Sequence, residues 1–221
     1  MSAHPAVDTK TRLLAVAAEL FAARGFHDTK IRDIATRAGV NVAAGNYHYG
    51  SKKELYLEVL RGQFADVRAR LARRGAAPSS AALATMSRPA LVELLRTRVR
   101  GMFEFMVGPP GLEGQLMLRE MADPSEAFPI IMAEFIEPMV AETSAIVARL
   151  GPTLDAEQVK RVVASIAGQV HFYRSVKPAV PRIFGRRAYA AAWVREVTDH
   201  IAEFSLAGID GLAAAGERRA R

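Results

Sequence analysis

Apolar residues along this chain recur at three- and four-residue intervals and nowhere alternate over useful lengths, which predicts helices throughout and no sheet. Leu13, Leu14, Ala17, Leu20 and Phe21 mark one face of a first helix, with Asp8 or Thr9 able to cap it and Gly25 to stop it. Ile31, Ile34, Ala35 and Ala38 mark a short second helix, with Thr29 as its expected cap and Gly39 as its end. Asn41 can open a third short helix, whose inner side takes Val40, Gly45 and Tyr49. A fourth runs from Ser51 to about Arg74: Ser51 and Glu54 form a capping box, and Leu55, Val59, Leu60, Phe64, Val67 and Leu71 keep the helical period.

Residues 75–88, rich in Ala, Ser, Gly and Pro, read as a loose connection. A helix follows from about Pro89 to Val107, then a sharp break at 108–111 and a short helix from Leu112 to Ala122. A longer helix is expected from Ser125 to Leu150, kinked at Pro138 because proline lacks the N–H that the helix ladder needs. Asp155 and Gln158 resemble a second capping box, ahead of a helix that Pro178 and Pro181 end. A last helix spans about Arg186 to Ala207, and 216–221 read as a frayed basic tail. The fold class is therefore all-α, with an N-terminal three-helix head and a larger helical remainder.

Composition narrows the function. The 221 residues include no cysteine, which excludes disulfides and thiolate metal sites and fits a reducing cytoplasm. The five histidines (4, 27, 48, 171, 200) show no ligand spacing, so no metal or other cofactor is expected. No apolar run approaches a membrane span, and no signal peptide is recognisable. The net charge is +7, and its distribution is lopsided: residues 1–74 hold 13 Lys and Arg against 7 Asp and Glu, so the remainder is nearly neutral. A positive surface concentrated on one small domain suits a phosphate backbone. Its position coincides with a short helix, a glycine turn and a second short helix, at about residues 30–49. Such an arrangement holds its second helix clear of the scaffold, where it can enter a DNA major groove.

The residues Thr29-x-Ile-Arg-x-Ile-Ala-x-x-Ala-Gly-Val40, followed by Tyr47-His-Tyr-Gly-Ser-Lys-Lys-Glu-Leu55, are similar to the TetR family of bacterial transcriptional regulators over about the first 65 residues. Leu118-Arg-Glu-Met-Ala-Asp-Pro124 and Gly168-Gln-Val-His-Phe-Tyr-Arg174, with Lys177-Pro178, resemble the C-terminal domain of the CecR-like subgroup. The resemblance implies a DNA-binding domain over 7–67 and a ligand-binding and dimerisation domain over 68–215. It implies a homodimer on double-stranded operator DNA, most often a repressor, released when a small-molecule effector enters the second domain. By position it assigns base-edge contacts to Val42, Ala43, Ala44, Tyr47 and His48, and phosphate contacts to Lys30, Arg32, Asn46 and Lys52. Two positions depart from the family pattern: Gly45 stands where a large aliphatic packs, and Asn46 where a tyrosine is common. Glycine inside that helix costs about 1 kcal/mol and leaves a hole.

Val42, Ala43 and Ala44 offer only apolar contact, which reads thymine methyl groups, so specificity is expected to lean on methyls and DNA shape. A Met- and Phe-rich stretch suits an adaptable apolar pocket. Its candidate lining residues are Met102, Phe103, Met106, Phe128, Met132, Phe135 and Met139, with Gln115, Arg119, Glu120 and His171 as orienting polar groups. The competing reading for the stripe is plain core, and for His171 a hydrogen-bonded core histidine. Val159, Val163, Ile166 and Val170, then Trp193, Val197, Ile201 and Phe204, form two stripes that can pack against a twin as a four-helix bundle or serve as internal core. An activator or an effector-independent DNA-binding protein is the main alternative. An enzyme fits poorly, since no phosphate loop, nucleophile elbow or HExxH motif occurs.

Overall fold

The computed structural model describes residues 5–41, 50–73, 78–107, 111–185 and 190–220, and every regular element among them is helical. In chain order these are α1 (Pro5–Asp28), α2 (Ile31–Ala38), α3 (Lys52–Arg73), α4 (Ser80–Thr85), α5 (Arg88–Val107), α6 (Leu112–Ala122), α7 (Phe128–Ile131), a π-helical turn (Met132–Ile136), α8 (Glu137–Leu150), α9 (Ala156–Ser175), α10 (Val180–Phe184) and α11 (Ala191–Ala220). Among the described residues no helix is long and apolar enough to cross a membrane. Backbone proximity divides the chain into two units: Met1–Ala69 with Pro110–Ile136, and Arg70–Pro109 with Glu137–Arg221. The segment 110–136, grouped with the second domain on sequence, thus clusters with the N-terminal helices.

In the first unit the apolar faces read from the sequence close on one another. Leu13, Ala17, Leu20 and Phe21 of α1, Ile34 and Ala35 of α2, and Leu55, Leu60 and Phe64 of α3 are all buried. The Tyr56 ring lies 4.7 Å from that of Phe21 and 5.1 Å from that of Phe26. Gly25 interrupts α1 at φ 82°, ψ 176°, a conformation that is essentially glycine-only. This break leaves carbonyls of α1 short of donors, and it changes the role of Thr29. Rather than capping α2, the Thr29 hydroxyl donates to the Gly25 carbonyl at 2.7 Å, with the Leu20 carbonyl 3.3 Å away. Lys30 occupies the cap position with no side-chain bond. Gly39 ends α2 in the left-handed region at φ 66°, as a glycine after a helix readily does. The Ser51 hydroxyl accepts from the Glu54 amide at 3.1 Å, which caps α3.

The disturbance at Pro138 takes a form other than a simple kink. The helix begins at Phe128, and Met132–Ile136 widens to a π turn directly ahead of the proline. In an α-helix the residue at 138 would donate to the Glu134 carbonyl; proline has no donor, and its ring presses on that carbonyl. Widening the turn relieves both problems.

The second unit buries Leu94, Leu95, Val99 and Phe103 of α5 with Ile146 and Val147 of α8, Ile166 and Val170 of α9, and Trp193 and Ile201 of α11. Phe103, Tyr173 and Trp193 form its aromatic centre, with ring separations of 5.7, 6.5 and 5.7 Å. Arginines on α5 tie it to the helices around it: Arg96 to Glu203 at 3.5 Å, Arg100 to Asp199 at 3.1 Å, and Arg98 to Glu142. The capping box at Asp155 and Gln158 is complete, at 2.7 and 2.9 Å. Three boundaries differ from expectation. The 75–88 connection contains α4, capped by Ser79 and seated by the buried Leu83. α9 stops at Ser175, ahead of both prolines, and Pro181 lies in the first turn of α10, where a missing N–H costs nothing. α11 continues through the expected tail to Ala220, carried by its Ala-rich composition.

Candidate nucleic-acid interface and ligand cavity

Val42, Ala43, Ala44, Asn46, Tyr47 and His48, the expected readers, lie outside the described residues. The described part of the head supplies their mounting. α2 is pinned to the C-terminal half of α1 by Arg24–Asp33 at 3.3 Å and Arg37–Glu19 at 2.6 Å. Gly39 then sets the direction in which the chain leaves α2. Lys30 and Arg32 are exposed at the start of α2, where a phosphate can reach them. Lys52 is placed differently: its Nζ donates to the His27 carbonyl at 3.2 Å and sits 4.3 Å from the centroid of the Phe26 ring. Burial lowers its pKa, against the opposing pull of Glu126 and Asp28. Only its remaining ammonium protons are free to meet a phosphate.

Two polar residues assigned to a ligand on sequence have work inside the first unit. Arg119 on α6 donates through Nε to the Ala22 carbonyl at 2.7 Å and through Nη2 to the Ala23 carbonyl. A cation on these carbonyls, left short of donors by the break at Gly25, also suits the negative end of a helix. Glu120 is 2% exposed and accepts from the Ser125 amide at 3.2 Å and from the Tyr56 hydroxyl. Burial first, then the charge of Glu120 and its hydrogen bond, raise the Tyr56 pKa. The same unit holds a bidentate pair: Arg61 donates through Nε and Nη2 to Glu134 at 2.9 and 2.8 Å. That bond lowers the Glu134 pKa. Phe135 stacks on Phe64 at 4.6 Å.

The remaining pocket candidates divide between the two units. Gln115, Phe128 and Met132 are half-buried in the first. In the second, Phe103 belongs to the aromatic centre, Met102 and Met106 pack against the core, and Met139 is half-buried. His171 is exposed on α9, so the reading of it as a core histidine is corrected: it falls outside the Val159–Val170 face. A cavity of about 200 Å³ does occur in the second unit, walled by Arg98, Glu142, Leu83, Ala141, Ala145 and Ile146 together with Pro78 and Ser80. None of the eleven candidates lines it. Arg98 carried a readable signal, because it stands at helical spacing with Leu91, Leu94 and Leu95 on the apolar face of α5. Of the eight dimer candidates, seven are buried among the unit's own helices. Phe204 is 64% exposed, and Phe172 and Leu212 are exposed on the same two helices, α9 and α11.

Residues 13–59 match the family described as bacterial regulatory proteins, tetR family, and residues 91–209 match the C-terminal domain of the HTH-type transcriptional dual regulator CecR. The HTH-type transcriptional repressor KstR2 of Rhodococcus jostii is 41% identical over 73 residues, 30% of this chain and 36% of that protein, so the chain spans about a third of the length of that relative. The dual regulator CecR of Shigella flexneri is 28% identical over 147 residues, 63% of each chain. Among solved structures, AibR in complex with isovaleryl coenzyme A and operator DNA shares the fold, with a TM-score of 0.62 at 16% identity over 89% of this chain and 97% of that one. The chain belongs to the tetR family of bacterial regulatory proteins, with the CecR type of C-terminal domain.

Proposed function

We propose that this chain is a sequence-specific, DNA-binding transcriptional regulator of the cytoplasm. It acts as a homodimer on a near-palindromic operator and is released by a small, largely apolar ligand. The supporting observation is the frame around the reading segment: α2 is pinned to α1, stopped by a left-handed Gly39, and followed after the reader by a helix capped at Ser51. Family membership gives that frame its use, since residues 13–59 are the part matched to the tetR family. Base contacts fall to Val42, Ala43, Ala44, Tyr47 and His48, and phosphate contacts to Lys30, Arg32, Asn46 and Lys52. One head reads too few base pairs for useful selectivity, so two are needed, spaced by whole turns of the duplex. The exposed Phe172, Phe204 and Leu212 offer apolar surface for that pairing. The functional division at about residue 67, DNA before it and ligand and twin after it, is part of the same proposal.

Release needs a ligand that favours a state whose heads no longer match the half-sites. A ~100-fold loss of operator affinity requires about 2.7 kcal/mol of coupling. The names of two relatives, a repressor and a dual regulator, also leave room for activation, which depends on where the operator lies relative to a promoter. The test is selection of bound fragments from random DNA with purified protein, followed by a search for small molecules that release them. Absence of any enriched sequence at modest salt refutes the proposal.

A further inference from the structure

We infer that the cavity of the second unit is a binding site for a small organic carboxylate, whose anionic head pairs with Arg98 in place of Glu142. The inference deepens the ligand-responsive reading above and rests on it. Arg98 is 6% exposed, and its Nη2 donates to Glu142. Its Nε–H has no acceptor among the described residues. The edge of a guanidinium that carries Nε and one Nη presents two parallel donors matched to the two oxygens of a carboxylate. Arg61 shows this edge fully used, with both donors on Glu134 at 2.9 and 2.8 Å. At Arg98 half of the same edge is open. Arg96 and Arg100 also keep an unpaired Nε, but their side chains are 35% and 38% exposed and neither lines the cavity.

Glu142 is a replaceable partner, since its side chain is 49% exposed and regains water when displaced. Arg98 has no such alternative, and burial already lowers its pKa. A ligand that removes Glu142 must therefore bring its own negative charge. The other walls, Pro78, Leu83, Ala141, Ala145 and Ile146, are apolar except for Ser80, whose hydroxyl is polar but carries no charge. An apolar cavity of about 150 Å³ holds benzene. The 200 Å³ here thus holds roughly six to nine non-hydrogen atoms, the size of a short-chain or aromatic monocarboxylate.

The test is calorimetric titration of the full chain, without DNA, with sodium hexanoate and sodium benzoate, compared with hexanol, hexylamine and benzamide. Both acids are expected to bind at one per chain with Kd below about 1 mM, and the neutral and cationic analogues at least about tenfold more weakly. Glu142→Gln should tighten the acids by roughly tenfold, because a competing charge is gone. Ala145→Leu, which fills the cavity and leaves the charges alone, should abolish binding. Arg98→Met should do the same, and Glu142→Gln and Ala145→Leu carry the test if Arg98→Met unfolds the chain. Equal binding of hexanol and hexanoate, weaker acid binding in Glu142→Gln, retained binding in Ala145→Leu, or no acid binding at about 10 mM would overturn the assignment. Protein that selects DNA yet binds no acid overturns this inference alone. Protein that binds acids yet selects no DNA overturns the regulator reading alone.

Discussion

Replacing Glu120 with Ala tests whether α6 belongs energetically to the N-terminal head. The carboxylate is 2% exposed and serves two donors, the Ser125 amide and the hydroxyl of Tyr56, both buried. Alanine leaves both unmet, and a buried donor without an acceptor costs about 1–3 kcal/mol. Loss of the buried charge offsets part of this, since its desolvation cost disappears as well. The net destabilisation is then ~2–4 kcal/mol. With two units in one chain, a single melting curve would blur the result, so the assay is amide hydrogen exchange read by peptide. Peptides covering 52–64 and 112–131 should exchange about 30- to 1,000-fold faster, while those covering 156–175 should not change. In a Tyr56→Phe background the same substitution should cost less, by about the worth of one orphaned hydroxyl. Exchange in the first-unit peptides within about threefold of the parent would refute the reasoning.

Tyr56 also sets a pH dependence. Its folded pKa is raised above the ordinary 10.0, so its contribution is complete below pH 10 and falls as pH rises past it, by about 1.4 kcal/mol per unit. Tyr56→Phe should flatten the fall in denaturant-measured stability between about pH 10 and 11. Pro138→Ala restores an N–H that can reach the Glu134 carbonyl; a crystal structure of the variant should show Met132–Ile136 narrowed to α geometry. A persistent π turn would assign it instead to the Arg61–Glu134 and Phe64–Phe135 contacts. Gly39→Ala forces a side chain into the left-handed region at φ 66° and should cost roughly 1 kcal/mol, seen as about fivefold faster amide exchange in peptides of the first unit. Lys30→Ala should reduce the slope of log affinity against log salt by about one, with base preference unchanged.

The helices and several of their ends were legible because caps and stops act locally: Ser51, Gly39 and the Asp155–Gln158 box need only neighbours to do their work. Thr29 was not, since its hydroxyl answers a shortage of donors created by the bend at Gly25, which spacing does not reveal. Pro138 announced a disturbance but not its form, because bending and widening relieve the same clash. Arg119 and Glu120 show the wider limit. Sequence presents them as polar residues among apolar ones, and only the folded chain reveals which carbonyl and which hydroxyl they reach. The stripes on α9 and α11 were ambiguous for another reason, since internal core and a twin's surface ask for the same residues. Arg98 was missed although a charge on an apolar face is visible without coordinates.

Domain-swap engineering inherits a condition from the placement of residues 110–136. A fragment cut after α3 would carry the reading segment yet leave behind the arginine that tops α1 and the carboxylate beneath Tyr56. Chimeras that graft this recognition module onto another regulator should therefore transplant two separate stretches of polypeptide, and transplanting the first alone delivers a module missing its own keystone.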